Sequence, residues 1–272
     1  IFTPIYLQNT QEKSAGKQQY CYYTQHAPAA TLPHAPKERF ISPLVATVDD
    51  SSRIKKEISA AFVEREGFRI APQRITTAWD EALHRQALRR EALQELYRQR
   101  CTPEDEVDAV LIGRPYLILD TAMNKGIPEV FGTLGIRAFY QDMLPGIDET
   151  PEDLKPLLEE IPWYYAKQIL RAASVAARTP GLYPVFVTAF KCSPDSFAAD
   201  FFRRIMEQAG KPYLMLELDE HDSSVGYETR IEAAARTFRN HRKLTSEATA
   251  KTVNDHARPD ASGADSVPTG WV

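Results

Sequence analysis

The chain has 272 residues, of which 43% are hydrophobic and 26% charged, a balance ordinary for a globular protein with one large or two modest domains. A net charge of -4 argues against a nucleic-acid surface, which needs a basic stripe. The three cysteines are too few and too scattered for a disulfide framework, and no apolar stretch approaches the roughly 20 residues that span a bilayer. We therefore expect a cytoplasmic protein without nucleic-acid or membrane partners.

The first part of the chain shows two different compositions. Residues 1–45 are rich in Gln, Tyr, Pro, Ala and His without periodicity, which predicts the loop-rich end of a preceding domain with at most one short strand. The opening "IFTPIYLQNT" lacks an initiator Met and a signal pattern, so we expect a piece of a longer polypeptide. Residues 46–104 carry amphipathic patterns that begin at Ser or Thr caps, and they predict a helical segment.

From residue 105 to 241 the pattern alternates between apolar strands and amphipathic helices. Such alternation predicts an α/β domain with a doubly wound, Rossmann-like parallel sheet and helices on both faces. The last helix is expected to end near residue 241, and residues 242–272 have so few large apolar side chains that they predict a linker or disordered tail. The strands are expected near residues 108–113, 136–140, 184–190 and 212–218.

In a doubly wound sheet, ligands bind at the carboxyl ends of the strands, where the loops lead into helices. Cys192 lies on such a loop in "FKCSPDS", just before a helix. A helix amino terminus favours a thiolate, which suits a metal ligand or a nucleophile. Its position alone fits a small buried packing residue equally well.

Other polar side chains follow the predicted strands and are candidate crevice residues. Asp219 and His221 could transfer protons or bind a divalent metal, or equally could cap the next helix. Arg230 is expected to pair with Asp219. No phosphate-binding loop, nucleophile elbow or "HExxH" motif is present, so no autonomous catalytic activity is expected. The full set of crevice candidates is Arg114, Tyr116, Asp120, Asn124, Asp195, Asp219, His221 and Arg230.

Several ordered motifs carry a family resemblance. "GRPYLILDTAMNKGIPEVFGTLGIRAFYQDM", "WYYAKQIL", "FVTAFKCSPDSFAADFFRRIM" and "GKPYLMLELDEHDSSVGYETRIEA" resemble a domain of the large activators of (R)-2-hydroxyglutaryl-CoA dehydratase. That domain is similar to the iron-sulfur subunits of 2-hydroxyacyl-CoA dehydratases and benzoyl-CoA reductases. The resemblance is dense over residues 106–241 and looser in the amino-terminal zone.

The resemblance implies a component of ATP-driven, low-potential electron transfer. Its cofactor would be a four-iron four-sulfur cluster, with Cys21 and Cys192 matching two family cysteines and a third ligand expected upstream. ATP would act through a fused or partner ATPase activator module, and a 2-hydroxyacyl-CoA dehydratase-like subunit would be the other partner. Ser193 and Tyr22 stand where the family more often has Gly and Pro, and Cys101 matches no family motif. The alternative is a non-catalytic scaffold that docks the ATPase to a dehydratase.

Overall fold

The computed structural model describes residues 1–9, 18–31, 36–47, 51–63, 70–101, 106–189, 192–219 and 224–256. Within them the strands are β1 (Ile5–Gln8), β2 (Leu44–Thr47), β3 (Asp108–Gly113), β4 (Arg137–Tyr140), β5 (Leu182–Ala189) and β6 (Leu214–Leu218). The helices are α1 (Tyr22–Thr31), α2 (Ser51–Val63), α3 (Pro72–Arg100), α4 (Pro115–Ile118), α5 (Ile127–Thr133), α6 (Lys155–Glu160), α7 (Tyr164–Arg178), α8 (Ser193–Gln208) and α9 (Ser224–His256).

The four strands predicted after residue 105 form one parallel sheet in the order β4-β3-β5-β6. This order confirms the predicted doubly wound α/β fold. The chain builds outward from β3 to β4 on one side and then to β5 and β6 on the other. The crevice between the loops after β3 and β5 is therefore the topological switch point, where such sheets bind ligands.

Side chains of β3 alternate between two cores because successive strand residues face opposite sides of a sheet. Val110 and Ile112 pack with α7 and α8, while Ala109 and Leu111 pack with α5 and α9. Both faces are thus covered by helices, which explains why β3 is buried at every position.

The amino-terminal residues form a second, smaller unit. Strands β1 and β2 pair in parallel, and β2 packs with α2 and α3 around a core of Val45, Ile54, Ile58 and Ile75. The composition of residues 1–45 predicted at most one strand. The structure shows helix α1 and the pairing of β1 with β2 in addition. Main-chain hydrogen bonds between Gln19 and the start of α7 join this unit to the large sheet.

Helix α9 continues to His256, so the expectation that it ends near residue 241 is wrong. The segment after residue 241 has few large apolar side chains but keeps good helix formers such as Ala, Lys and Glu, which favour continuation of the helix. The part of the predicted tail at 257–272 lies outside the described residues. Among the described helices, none combines the length and apolar character that crossing a bilayer requires.

Candidate functional site

Arg114 is the centre of a polar site at the switch point. It follows β3 directly, its side chain is only 1% exposed, and its Nε donates a 2.8 Å hydrogen bond to Oδ1 of Asp195 in the first turn of α8. The other carboxylate oxygen of Asp195 accepts from Thr188 Oγ1 at 3.0 Å, near the end of β5. Although burial disfavours the charged form, Asp195 raises the pKa of Arg114, so the guanidinium stays charged.

Cys21 comes from the amino-terminal unit and meets the same guanidinium. Its buried Sγ accepts a 2.7 Å hydrogen bond from Arg114 Nη1, which also donates to the Tyr116 hydroxyl at 3.0 Å. Burial opposes ionisation of the thiol. Hydrogen bonds from Thr24 and the charge and hydrogen bond of Arg114 outweigh burial and lower the pKa of Cys21 below its ordinary value. The site therefore makes the Cys21 thiol more acidic than an ordinary cysteine.

Cys192 is half-buried and lies at the amino-terminal cap of α8, as its place in the sequence predicts. The prediction that this position favours a thiolate is wrong. Burial and the nearby Asp195 carboxylate raise the pKa of Cys192 to about 11, against the opposing backbone hydrogen bond from Asp195 and the charge of Arg114. The two cysteines near Arg114 therefore differ in protonation: Cys21 is the more acidic and Cys192 keeps its proton at neutral pH.

Aromatic rings surround the Cys21 side of the site. Burial raises the pKa of Tyr165 to about 12, and the charges of Cys21 and Arg114 also act on this hydroxyl. Its ring lies 5.3 Å from that of Tyr164 and 5.5 Å from that of Tyr20. The three half-buried rings form one aromatic cluster beside Cys21.

A cavity of about 400 Å³ adjoins this site beyond Tyr165. It lies at the carboxyl ends of β3 and β4, where Gln141 accepts a hydrogen bond from the Gly113 amide at 3.0 Å. Helix α3 closes its outer side. The lining residues are Asn9, Gln18, Gln86, Arg89, Arg90, Leu93, Pro115, Leu119, Gln141, Asp142, Ile147, Asp148, Tyr164, Tyr165 and Gln168.

Two other candidates on the loop after β3 serve the loop itself. Oδ1 of Asp120 accepts from the amides of Ala122 and Met123, which shapes an exposed turn. The side chain of Asn124 is fully buried, donates to the Ile118 carbonyl and accepts from the Gly126 amide. Their bonds fix the path of the chain between α4 and α5, and neither is among the partners of Arg114.

The prediction that Arg230 forms an ion pair with Asp219 is wrong. Arg230 Nη2 donates instead to the Met215 carbonyl at 2.5 Å, because α9 runs back along β6 and places this arginine beside the strand. The backbone carbonyl of Asp219 accepts from Lys125 Nζ, and its amide donates to the Tyr227 hydroxyl. His221 lies outside the described residues, so its role stays a prediction.

Sequence patterns did not identify Thr188, Thr24 or Tyr165 as members of the site. Thr188 could have been found, since it is a hydroxyl in an otherwise apolar strand next to its carboxyl end. Thr24 and Tyr165 gave no such signal because their relation to Arg114 depends on how the amino-terminal unit docks on α7.

A comparison with protein-family models matches residues 1–144 to the CoA enzyme activase uncharacterised domain. The chain belongs to this family. The match to the activase family confirms the predicted resemblance at the level of the family and includes Cys21 and Arg114, but it ends before Cys192 and Asp195. Comparisons with curated proteins and with solved structures gave no match.

The donor set of this activase-family chain fits part of an iron-sulfur site. Cys21 and Cys192 both lie within the electrostatic range of Arg114, and thiolates are the ligands that such clusters take. Among the described residues, however, no group of three or more His, Cys, Asp or Glu side chains could hold a metal ion. Cys101 caps the far end of α3, where its Sγ contacts the Arg98 carbonyl at 3.5 Å. The described residues thus place two thiols near Arg114 and contain no complete set of metal ligands.

Proposed function

We propose that this chain is a component of an ATP-driven, low-potential electron-transfer system that serves a 2-hydroxyacyl-CoA dehydratase or a related acyl-CoA reductase. Cys21 and Cys192 would supply two ligands of an iron-sulfur cluster. The observation that carries the proposal is the bond between Cys21 and the Arg114 guanidinium, with Cys192 within electrostatic range of the same guanidinium, at the switch point of an activase-family chain. The ATPase module and the dehydratase-like subunit would be its partners.

A cluster bound here would supply one-electron transfer. The role of Arg114 would be to hold Cys21 in the ligating, deprotonated form and to place a positive charge beside the sulfur. Cys192 would have to lose its proton before it could ligate. The half-buried tyrosines would limit access of water to the metal.

Two thiolates do not complete a four-iron site. The remaining ligands would come from outside the described residues, from a further part of the polypeptide or from the partner subunit. A shared cluster of this kind would lie at an interface, which is consistent with ligands drawn from the amino-terminal unit and from the loop after β5.

The test is anaerobic purification of the complete protein with its ATPase and dehydratase partners. Cys21→Ser and Cys192→Ser are each expected to lower bound iron and abolish ATP-dependent reduction, measured by iron analysis and electron paramagnetic resonance. Cys101→Ser is the matched control and should leave both unchanged, since Cys101 lies at the end of α3. Full iron content and reduction in both serine variants would overturn the cluster assignment.

The scaffold alternative is favoured by one specific observation. The side chains of the site bond to one another: Arg114 donates to Asp195 and to Cys21, and Thr188 donates to Asp195. A site with a purely structural role would have this arrangement. As a scaffold, the colourless protein would still bind the ATPase and the dehydratase, and Cys21→Ser would leave that binding and the dehydratase activity intact. Loss of activity with retained binding would speak for the redox role instead.

A further inference from the structure

A second cavity, of about 470 Å³, lies at the amino-terminal ends of β3 and β4, whereas the two thiols lie at the carboxyl ends of the strands. It is bounded by the residues that lead into β3 and β4 and by one face of α9. Three cations line it, and Glu106 is its one lining carboxylate. The lining residues are Glu106, Val107, Gly135, Ile136, Arg239, Arg242, Lys243 and Ser246.

Arg242 is the unusual residue of this cavity. It is only 9% exposed, and its Nε is buried without a hydrogen-bond acceptor. Within the described part of the chain, its guanidinium makes no ion pair. A buried charged donor without an acceptor is costly, and guanidinium groups in folded proteins nearly always have one. The described residues therefore provide no acceptor for Arg242 Nε.

The neighbouring charges do not supply it. Arg239 donates to the Leu134 carbonyl, and Glu106 is engaged by Arg137 at 3.3 Å. On the other side of Arg242, burial together with the Arg242 charge lowers the pKa of Lys211 to about 7. The pKa of His241 is lowered by burial and by the charges of Lys211 and Arg242, against its hydrogen bond with the Gly210 carbonyl. Among the described residues, no carboxylate therefore pairs with Arg242.

We propose that this cavity binds the phosphate group of a small molecule. Arg239, Arg242 and Lys243 line the same cavity, and charge-assisted bonds from such cations to phosphate oxygens are among the strong hydrogen bonds. The hydroxyl of Ser246 lies on the same face of α9. The volume accommodates a phosphate with a modest organic group attached, whereas a neutral ligand would leave Arg242 uncompensated.

Titration calorimetry with inorganic phosphate and with pyrophosphate, at constant ionic strength, tests the proposal on the complete chain. Arg242→Gln is expected to weaken binding by about tenfold or more, because it removes a buried charged donor. Arg236→Gln is the matched control, since Arg236 is exposed on the same helix outside the cavity, and it should bind as the unmodified chain does.

Two further measurements keep the test decisive if Arg242→Gln does not fold. Lys243→Gln changes an exposed lining residue and should also weaken binding. Phosphate should raise the pKa of His241, followed by NMR of the imidazole, because the bound anion offsets the charges that lower it. Absence of binding by the unmodified chain, equal binding by all variants, or an unchanged His241 titration would overturn the proposal.

Discussion

Arg114 and Lys211 are both buried cations, yet their surroundings act on them in opposite directions. Arg114 has the Asp195 carboxylate as a partner, and its pKa is raised. Lys211 donates to the carbonyls of Ala176 and Thr179, at the end of α7, and its ammonium lies 5.3 Å from the centre of the Tyr183 ring. Dipoles of neutral carbonyls do not offset the lost hydration of an ammonium, so burial and the charge of Arg242 lower the pKa of Lys211 to about 7.

This pKa gives the folded protein a pH-dependent stability. The folded lysine loses its proton near pH 7, while the unfolded lysine keeps it to about pH 10, so the unfolded state binds more protons between these values. Its contribution to the free energy of unfolding therefore rises with pH over this window, by at most about 1.4 kcal/mol per pH unit, and the full penalty is present below pH 7. Urea unfolding from pH 7 to 9.5 should show a smaller slope for Lys211→Met. Lys155→Met, at an exposed position, should keep the original slope.

The two thiols of the site should differ in the pH dependence of alkylation. Cys21 should reach its maximal rate at a lower pH than an ordinary cysteine, whereas Cys192 should accelerate until its pKa of about 11 is passed. Iodoacetamide labelling followed by mass spectrometry gives both profiles from one sample. Arg114→Gln should move both profiles to higher pH because its charge lowers both pKa values. Identical profiles for the two cysteines would contradict the asymmetry.

At the scale of elements, two glycines make a matched pair. A Cβ on Gly113, at the end of β3, would lie 2.4 Å from the Val187 carbonyl oxygen of the neighbouring strand. A Cβ on Gly132, within α5, would meet nothing within 4 Å. We expect Gly113→Ala to cost about 1–3 kcal/mol and Gly132→Ala to add about 0.5–1 kcal/mol to the free energy of unfolding. Chemical denaturation measures both, and equal effects would show that the close approach of β3 and β5 is not a constraint.

The elements that the sequence predicted are those with strong local patterns. β3 was predicted at its observed bounds because "DAVLIG" is a continuous apolar run, as a strand buried on both faces requires. Helix α1 was missed because "YYTQHAPAAT" has no helical periodicity and contains Pro28. Its formation depends on Gln25, which donates to the Leu7 and Tyr20 carbonyls once β1 is in place.

The sequence predicted which end of the sheet carries the site, but it did not predict which side chains contact one another there. Arg114 and Asp195 were candidates because each follows a strand, but 81 residues separate them, so no spacing rule gives their pairing. The bond from Arg114 to Cys21 spans 93 residues and two structural units. The proton affinity of Cys192 also escaped prediction. A helix terminus favours a thiolate, but burial of Cys192 and then the Asp195 carboxylate three residues later reverse that preference.

At the scale of the whole molecule, the two units differ in the size of their cores. The large sheet carries two extensive apolar clusters, one on each face, whereas the amino-terminal unit is built on Val45, Ile54, Ile58 and Ile75. A smaller core resists opening less. The amino-terminal unit is also attached to the large sheet, through Gln19 at α7, Cys21 at Arg114 and Tyr97 of α3 at Phe139.

Hydrogen exchange of the intact chain can test this coupling. Arg114→Gln leaves the Asp195 carboxylate buried without its cation, a change that typically costs about 3–5 kcal/mol. Exchange should accelerate most in residues 18–31 and at the start of α8, and least in α9, which packs on the opposite face of the sheet. Arg204→Gln is the control, because its pair with Asp200 is exposed and should contribute little. Uniform acceleration across both units would mean that Arg114 stabilises the sheet alone, and that Cys21 is a neighbour of the guanidinium without depending on it.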